Sequence, residues 1–197
     1  MTESLGASSS LRQGARLPTL VRDLGEWTAT IALGIAAGFL CKKFLFSLIR
    51  VKGRSMCPTL NDKEVLFVSI LDVRLFGVAR GDVVICRYPN RKELFVKRVV
   101  GVPGDVVERK NNVTYVQYEP LDEDRSRRYC VGSNDYAPYV LGRDEYFVVG
   151  DNRLNSHDSR HWRNKTPARE VGPISRAMLV GRVRFVLWPL RRRRKID

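Results

Sequence analysis

The feature that most restricts the fold of this chain is a series of short runs of β-branched and aromatic residues beyond Arg50, separated by turn formers. Such runs are typical of β-strands, and no helical period persists among them. Many strands without alternating helices favour an antiparallel sheet over a doubly wound one. We therefore predict a mostly β, antiparallel, barrel-like domain at 50–190. The turn at Lys110 to Val113 is expected to form a hairpin, and 119–144 a loop or small insertion.

A different pattern precedes this region. The segment from Leu24 to Leu40 is mostly small and apolar, "CKK" interrupts it, and apolar residues resume to Ile49. A membrane span needs about 20 predominantly apolar residues. We predict one N-terminal transmembrane helix within 27–49, which serves as anchor and juxtamembrane segment after an N-terminal tail at 1–26. A cleaved signal peptide is the alternative, but the 26 mixed residues that come first disfavour it.

Charge indicates the kind of partner. The 35 Lys and Arg residues exceed the 21 Asp and Glu residues and give a formal net charge of +14. Anionic phospholipid or nucleic acid would both suit this charge. The chain ends in a basic tail at 191–197, which is either solvated or held on acidic lipid at about 1 kcal/mol per basic residue. No nucleic-acid-binding motif is visible, so we expect no nucleic-acid partner.

The four cysteines predict neither a disulfide framework nor a metal site. They show no CxxC pair and no ligand-like spacing, and we expect Cys86 to be a small core residue. The residues are Cys41, Cys57, Cys86 and Cys130.

Two residues are candidates for nucleophilic chemistry. Ser55 lies in "VKGRSMCPTL", a stretch that is either an ordinary turn or a nucleophile loop. A serine needs a neighbouring base, and a lysine can act as one when burial lowers its pKa. Lys97 in "ELFVKRVVGVPGD" would share a strand face with Phe95 and Val99 if the strand alternates. Taken alone, Lys97 could equally be an edge-strand lysine that discourages aggregation.

A third stretch, "GDNRLNSHDSR" at Gly150 to Arg160, follows a strand-like run and is almost free of apolar residues. As a solvated loop it would be unremarkable. As a rigid loop it offers Ser156 to hydrogen-bond a lysine amine, with Asp158 and Arg160 to brace the site.

Together these stretches resemble one family. The motifs "SMxPTL", "RGDVV", "KRVVGVPGD" and "GDNRxNSxDSR" begin at Ser55, Arg80, Lys97 and Gly150, and their order after an anchor is similar to that of type I signal peptidases, the S26 serine proteases. The resemblance extends from about Glu26 to Pro189. Four motifs in register make it far more specific than one.

The resemblance implies a role for each matched position. Ser55 would be the nucleophile and Lys97 the general base, while Ser156 would orient the lysine. Asp158 and Arg160 would be the structural pair behind them, and Met56 belongs to the nucleophile loop. The family implies a membrane-bound serine endopeptidase that removes signal peptides from exported preproteins through a Ser/Lys dyad, with no metal and no cofactor.

Two departures from the family pattern affect the site. Gly53 stands where some members have a serine that helps bind the oxyanion, so we expect backbone N–H groups, including that of Ser55, to do most of this work. "HWRN" stands after "DSR", where the family often has a glycine. The endoplasmic-reticulum branch has histidine at the position of Lys97, which disfavours that branch.

Several rival functions are open to tests. Cys57 with His157 could form a cysteine protease, but no residue is marked to orient the histidine. A metal site at His157, Asp158 and His161 lacks the helix that would join an i, i+4 pair. A non-enzymatic, membrane-tethered basic binding protein would explain the charge but not four motifs.

The compartment follows from the branch of the family. The fuller "GDNRLNSHDSR" motif resembles the bacterial branch, which implies the plasma membrane, a single span and a catalytic domain on the extracytoplasmic side. A mitochondrial inner-membrane peptidase of the same family is the alternative.

Overall fold

The β-rich part of the molecule begins directly after a long helix. The structure, a computed structural model, describes residues 16–89, 91–111, 113–121, 135–162 and 170–196. Helix α1 to Lys42 and the part from Lys43 onward are separate compact units. In chain order the elements are α1 (Arg16–Phe44), β1 (Phe46–Arg50), β2 (Val65–Ser69), α2 (Ile70–Leu75), β3 (Val83–Tyr88), β4 (Arg91–Gly101), β5 (Val106–Lys110), β6 (Val113–Val116), β7 (Glu119–Pro120), β8 (Tyr136–Val140), β9 (Glu145–Val149), β10 (Ile174–Ser175), β11 (Leu179–Trp188) and β12 (Arg194–Lys195).

Helix α1 is 29 residues long and carries large apolar side chains that are exposed. They lie on opposite sides of the helix, since Ile31 and Ile35 are 58% and 69% exposed and Leu33 is 71% exposed. Over the described residues, no helix reaches both the length and the mean hydropathy required of a membrane span.

The described strands form two antiparallel sheets. The larger has the order β1-β2-β11-β3-β4-β9-β10, with β12 added on β11, and the smaller has the order β7-β6-β5-β8. The mostly β, antiparallel fold predicted from the strand-like runs is therefore confirmed. The predicted hairpin at Lys110 to Val113 is also confirmed, because β5 pairs with β6 in the register Lys110↔Val113. Asn111 at this turn has φ of 52°, a conformation that asparagine tolerates.

The larger sheet extends beyond the predicted range 50–190 at both ends. Strand β1 pairs with β2 from Phe46↔Ser69 to Arg50↔Val65, so "FSLIR", which could either enter the folded domain or lie against the membrane, forms a strand of the sheet. At the other end, Arg194 and Lys195 form β12 against Val186 and Phe185. Half of the predicted loop or insertion at 119–144 falls at 122–134, outside the described residues, and the other half contains β7 and β8.

Three hydrophobic clusters hold these strands together. The first joins Val51, Met56 and Leu60, which follow β1, to β2, β3, β11 and the buried Ile196. The second surrounds Val84, Cys86 and Val99, and the third packs the smaller sheet against Phe147 and Val149. Cys86 is fully buried, as predicted for a core residue, and burial raises its thiol pKa to about 12.

The close pairing of β2 with β11 requires a glycine at position 181. This requirement can be tested by its effect on the stability of the fold. A Cβ built on Gly181 would lie 2.6 Å from Val68 Cγ1 and 2.9 Å from Ser69 O. We expect Gly181→Ala to lower the free energy of unfolding by about 1–3 kcal/mol, since overpacking forces neighbouring atoms apart. Urea unfolding of the full chain measures this change.

Gly142→Ala is the matched control for Gly181→Ala. A Cβ at Gly142 meets only Glu145, at 3.4 Å or more. Equal stability of the two variants would contradict the close packing of β2 against β11.

Candidate functional site

Ser55 lies in the loop between β1 and β2. Backbone hydrogen bonds close the base of this loop, with Val51 N donating to Glu64 O at 2.8 Å and Lys63 N to Val51 O at 3.0 Å. Met56 and Leu60 are buried in the first cluster at 1% and 0% exposure. The loop is thus fixed by its apolar side chains, while Ser55, directly before Met56, stays partly accessible.

Lys97 lies on β4 and is 2% exposed, which agrees with the buried alternative rather than with an exposed edge-strand lysine. It pairs with Val84 across the strands, and Phe95 and Val99 on either side pack in the cluster of Cys86, as strand alternation requires. The Nζ atom of Lys97 donates a 3.0 Å hydrogen bond to Ser55 Oγ. The structure therefore brings together the two residues that the sequence proposed as nucleophile and base.

Burial changes the chemistry of the Lys97 amine. Removal from water lowers the lysine pKa below its ordinary value of 10.5, because the charged form loses its hydration. The carboxylate of Asp158 acts in the opposite direction and favours the charged form. The net direction is downward, which increases the fraction of neutral amine that can accept a proton.

The loop that follows β9 borders both residues. β4 and β9 pair in the register Arg98↔Val149, so Gly150 begins its loop beside Lys97. A Cβ on Gly150 would lie 2.2 Å from Ser156 Oγ and 2.5 Å from Ser55 O, so only glycine fits here. This close approach lets the loop after β9 contact the backbone of Ser55.

Asn152 connects the two loops directly. Its backbone N donates to Ser55 O at 3.0 Å, and its Nδ2 donates to Arg54 O at 3.0 Å. Its neighbour Asp151 receives two hydrogen bonds from Arg98, at 2.9 and 2.8 Å. None of these roles of Asn152, Asp151 and Arg98 was predicted from the sequence. The position of these residues in the sequence could have indicated a role in the site, because Arg98 directly follows Lys97 and Asn152 lies within the fourth motif.

Asp158 and Arg160 form a buried ion pair behind the lysine. Arg160 Nε donates to Asp158 Oδ1 at 2.9 Å and Nη2 donates to Oδ2 at 3.1 Å, with both side chains at most 1% exposed. Burial alone would raise the pKa of Asp158, but Arg160 holds it well below its usual range. Gly150 N also donates to Asp158 Oδ2 at 3.0 Å, so the pair fixes the loop where it leaves β9.

Ser156 is close to the site but, over the described residues, does not hydrogen-bond the lysine as expected. Its Oγ is buried, and among the described residues it has no partner with good hydrogen-bond geometry. It lies close enough to Asp158 to help keep that pKa low. Within the described residues, no hydrogen bond joins Ser156 to Lys97. The amine of Lys97 instead donates to Ser55 Oγ. Orientation of the lysine by Ser156 stays a prediction.

Gly53 shapes the approach to Ser55. It has φ of 90°, a left-handed conformation that favours glycine, and its N donates to Asp62 Oδ1 at 2.8 Å. The amides of Ser55 and Met56 have no acceptor within the described residues. They are the backbone donors available for a developing oxyanion.

The residues of the rival sites lie in different surroundings. The thiol of Cys57 donates to Leu60 O at 3.4 Å, within its own loop. The rings of His157 and His161 are tilted by 45° with their centroids 4.4 Å apart, and burial lowers the pKa of His157 to about 4. The described part of the chain contains no group of three or more His, Cys, Asp or Glu side chains arranged to hold a metal.

This arrangement can perform one kind of chemistry in particular. A hydroxyl in hydrogen-bond contact with a buried amine of lowered pKa has the geometry of a nucleophile beside its base. Free backbone amides next to the hydroxyl can bind an oxygen that becomes negative during attack on a carbonyl. Acyl transfer from an ester or amide fits these groups.

The comparisons with known proteins agree with this chemistry. The family signal peptidase, peptidase S26, matches residues 24–188. Signal peptidase I of Bacillus licheniformis is 37% identical over 184 residues, which cover 89% of this chain and 94% of that protein. Signal peptidase I of Bacillus amyloliquefaciens is 36% identical over 172 residues, covering 83% and 85%. Signal peptidase IB of Staphylococcus aureus is 34% identical over 184 residues, covering 85% and 91%.

One solved structure is also similar. A crystal structure of a signal peptidase I from Enterococcus faecalis is 25% identical, covers 53% of this chain and 95% of its own, and gives a TM-score of 0.37. That score is too low to support any conclusion about the site. The family match and the sequence relatives together show that the chain belongs to the signal peptidase family, peptidase S26, and is a serine peptidase of that kind.

Proposed function

We propose that the chain removes signal peptides from exported preproteins with Ser55 as nucleophile and Lys97 as general base. The observation that carries the proposal is the 3.0 Å contact between Lys97 Nζ and Ser55 Oγ with Lys97 almost fully buried. In its neutral form the amine accepts the proton of Ser55 as the hydroxyl attacks the scissile carbonyl. The resulting ammonium then gives this proton to the leaving amine, which leaves an ester between Ser55 and the acyl part of the substrate. Water attacks this ester and gives a proton to Lys97, which passes it to Ser55 Oγ as the acid product leaves.

The remaining site residues support these two steps. Asn152 holds the carbonyls of Arg54 and Ser55, which fixes the nucleophile loop against the loop after β9. Asp158, paired with Arg160, provides negative potential for the ammonium that forms on Lys97. The free amide of Ser55 takes the main part in binding the oxyanion, and Gly53 leaves the space beside it open.

Removal of either proposed catalytic group tests this assignment. Ser55→Ala and Lys97→Ala should each lose nearly all cleavage of a preprotein while the thermal unfolding midpoint stays near that of the parent chain. Ser55→Ala removes the nucleophile, and Lys97→Ala leaves the serine without the base that activates it. Acyl transfer needs both groups, so either substitution should stop it. Cleavage is measured by sequencing the new N-terminus of the product.

Two variants serve as matched controls. Ser47→Ala on β1 and Lys92→Ala on the exposed end of β4 remove the same groups away from the site and should leave cleavage intact. Full activity in Ser55→Ala would overturn the proposed nucleophile. Loss in Cys57→Ala together with that result would point to the thiol instead.

The pH dependence of cleavage tests the base. Because burial lowers the lysine pKa, the neutral amine accumulates at a pH below 10.5. We expect kcat/KM to rise with pH and to reach half of its maximum below 10.5, with little activity in acid. The profile is measured on a peptide substrate over the range in which the protein stays folded. A profile that is flat down to acid pH would contradict a lysine base.

We also propose that α1 anchors the enzyme in a membrane. A 29-residue α-helix is about 43 Å long, which exceeds the roughly 30 Å hydrocarbon core of a bilayer. Large apolar side chains on opposite sides of α1 are 54–71% exposed, as expected for a helix surrounded by lipid. The bacterial origin of the relatives above supports the plasma membrane, a single span and a β-rich domain on the extracytoplasmic side.

Two finer features complete the proposal. The basic residues near the C-terminal end would meet anionic phospholipid beside the anchor. A barrel-like curvature of the larger sheet would bring the loop after β1 against β4, which lies three strands beyond β2.

Charged residues in α1 test the anchor. Ile31→Lys with Ile35→Lys should release the protein from membrane pellets washed with alkaline carbonate, because each lysine costs about 3 kcal/mol near the centre of a bilayer. Tyr118→Lys in the turn between β6 and β7, with Val140→Lys on β8, places the same charges on exposed positions outside α1 and should leave the protein in the pellet. Retention of both double variants would refute the anchor, and so would release of the parent chain.

A further inference from the structure

A buried carboxylate closes the nucleophile loop and is itself held by an arginine far away in the chain. Glu64 is 1% exposed, and its Oε2 accepts a 3.0 Å hydrogen bond from Asn61 N at the end of the loop. Arg194 on β12 donates to both carboxylate oxygens, at 3.1 and 2.9 Å. Burial would raise the pKa of Glu64, but Arg194 and Asn61 keep it below its ordinary value.

Arg194 also contacts the nucleophile loop directly, in addition to its contact with the carboxylate of Glu64. Its Nη2 donates to Thr59 O at 2.5 Å, four residues after Ser55. The guanidinium therefore bridges the carbonyl of Thr59 and the carboxylate of Glu64. A planar group with several fixed donors suits such a bridge better than a lysine ammonium does.

The segment that carries Arg194 is itself fixed to the core. β12 pairs with β11, and Ile196 N donates to Arg184 O at 2.9 Å. The Ile196 side chain is 6% exposed and lies in the same cluster as Met56 and Leu60. Arg194 is thus presented to the nucleophile loop by an ordered strand. The three preceding arginines, by contrast, are exposed.

We propose that Arg194 is a positioning residue that sets the Ser55 loop, and through it the hydroxyl, against the Lys97 amine. This inference rests on the proposed function of Ser55. Arg194 does not touch the reacting atoms; it acts by holding Thr59 and Glu64, which bound the second half of the loop. A small displacement of a nucleophile can lower the rate of the chemical step by up to about 100-fold.

Steady-state kinetics of the full chain in detergent test the proposal. Arg194→Ala should lower kcat by about 10- to 100-fold with KM within about twofold of the parent value. Arg194→Lys should retain an intermediate kcat, because an ammonium can reach one acceptor but not bridge both. Arg193→Ala removes the same charge from a neighbouring exposed position and should keep the parent kcat.

Two further variants separate positioning from loss of stability. Val116→Ala destabilises the smaller sheet away from the site, and its kcat at a temperature well below its unfolding midpoint should match the parent value. Arg194→Ala alone would leave the carboxylate of Glu64 buried and unpaired. The double variant Arg194→Gln, Glu64→Gln avoids this charge but still removes the guanidinium that holds Thr59, so its kcat should stay low. Recovery of the parent kcat in this double variant would overturn the proposal, as would an unchanged kcat in Arg194→Ala.

Ser55→Ala distinguishes failure of this inference from failure of the proposed function. If Ser55→Ala keeps its activity, the assignment of the nucleophile fails and the positioning of Ser55 fails with it. If Ser55→Ala is inactive but Arg194→Ala has the parent kcat, only the positioning role is refuted.

Discussion

The site depends on a lysine amine that the fold removes from water. An ammonium is costly to bury, and Lys97 has no carboxylate within hydrogen-bond distance among the described residues; its bond goes to Ser55 Oγ. Asp158 offsets part of this cost from further away, and Arg160 in turn neutralises Asp158. The balance leaves the lysine pKa lowered. The pairing of β4 with β9 places the loop that begins at Gly150 beside this amine, although the two segments are far apart in the chain.

Three segments meet at this amine, and each is stabilised independently. The Ser55 loop is held by Met56 and Leu60 in the core, and Lys97 by the pairing of β4 with β3 and β9. The loop after β9 is held by the Asp158 ion pair. Asn152 and Gly150 then set the distance between the loops, one through hydrogen bonds and the other through the absence of a side chain. Rigid segments joined by a few close contacts are suited to chemistry that depends on geometry.

Much of this organisation follows from local sequence. The β-branched runs predict the strands because their side-chain pattern suits a pleated surface, and alternation around Lys97 predicts the face that it shares with Phe95 and Val99. The long-range contacts could not be predicted in the same way. Nothing near Glu64 indicates a partner at Arg194, and a run of arginines has the composition of a solvated tail whether or not one member is held in place. Ser156 lies in the expected loop, but a hydrogen bond from its hydroxyl to the lysine depends on side-chain packing rather than on spacing.

The neighbouring residues Lys97 and Arg98 have opposite electrostatic surroundings. Arg98 forms a bidentate ion pair with Asp151, which raises the pKa of the guanidinium. Burial, in contrast, lowers the pKa of Lys97. Adjacent side chains on a strand point to opposite faces, so a single dipeptide provides both a permanent cation and a titratable one. Exchange of the two residue types would therefore preserve net charge and lose the chemistry, because a guanidinium at position 97 would keep its proton and could not act as a base.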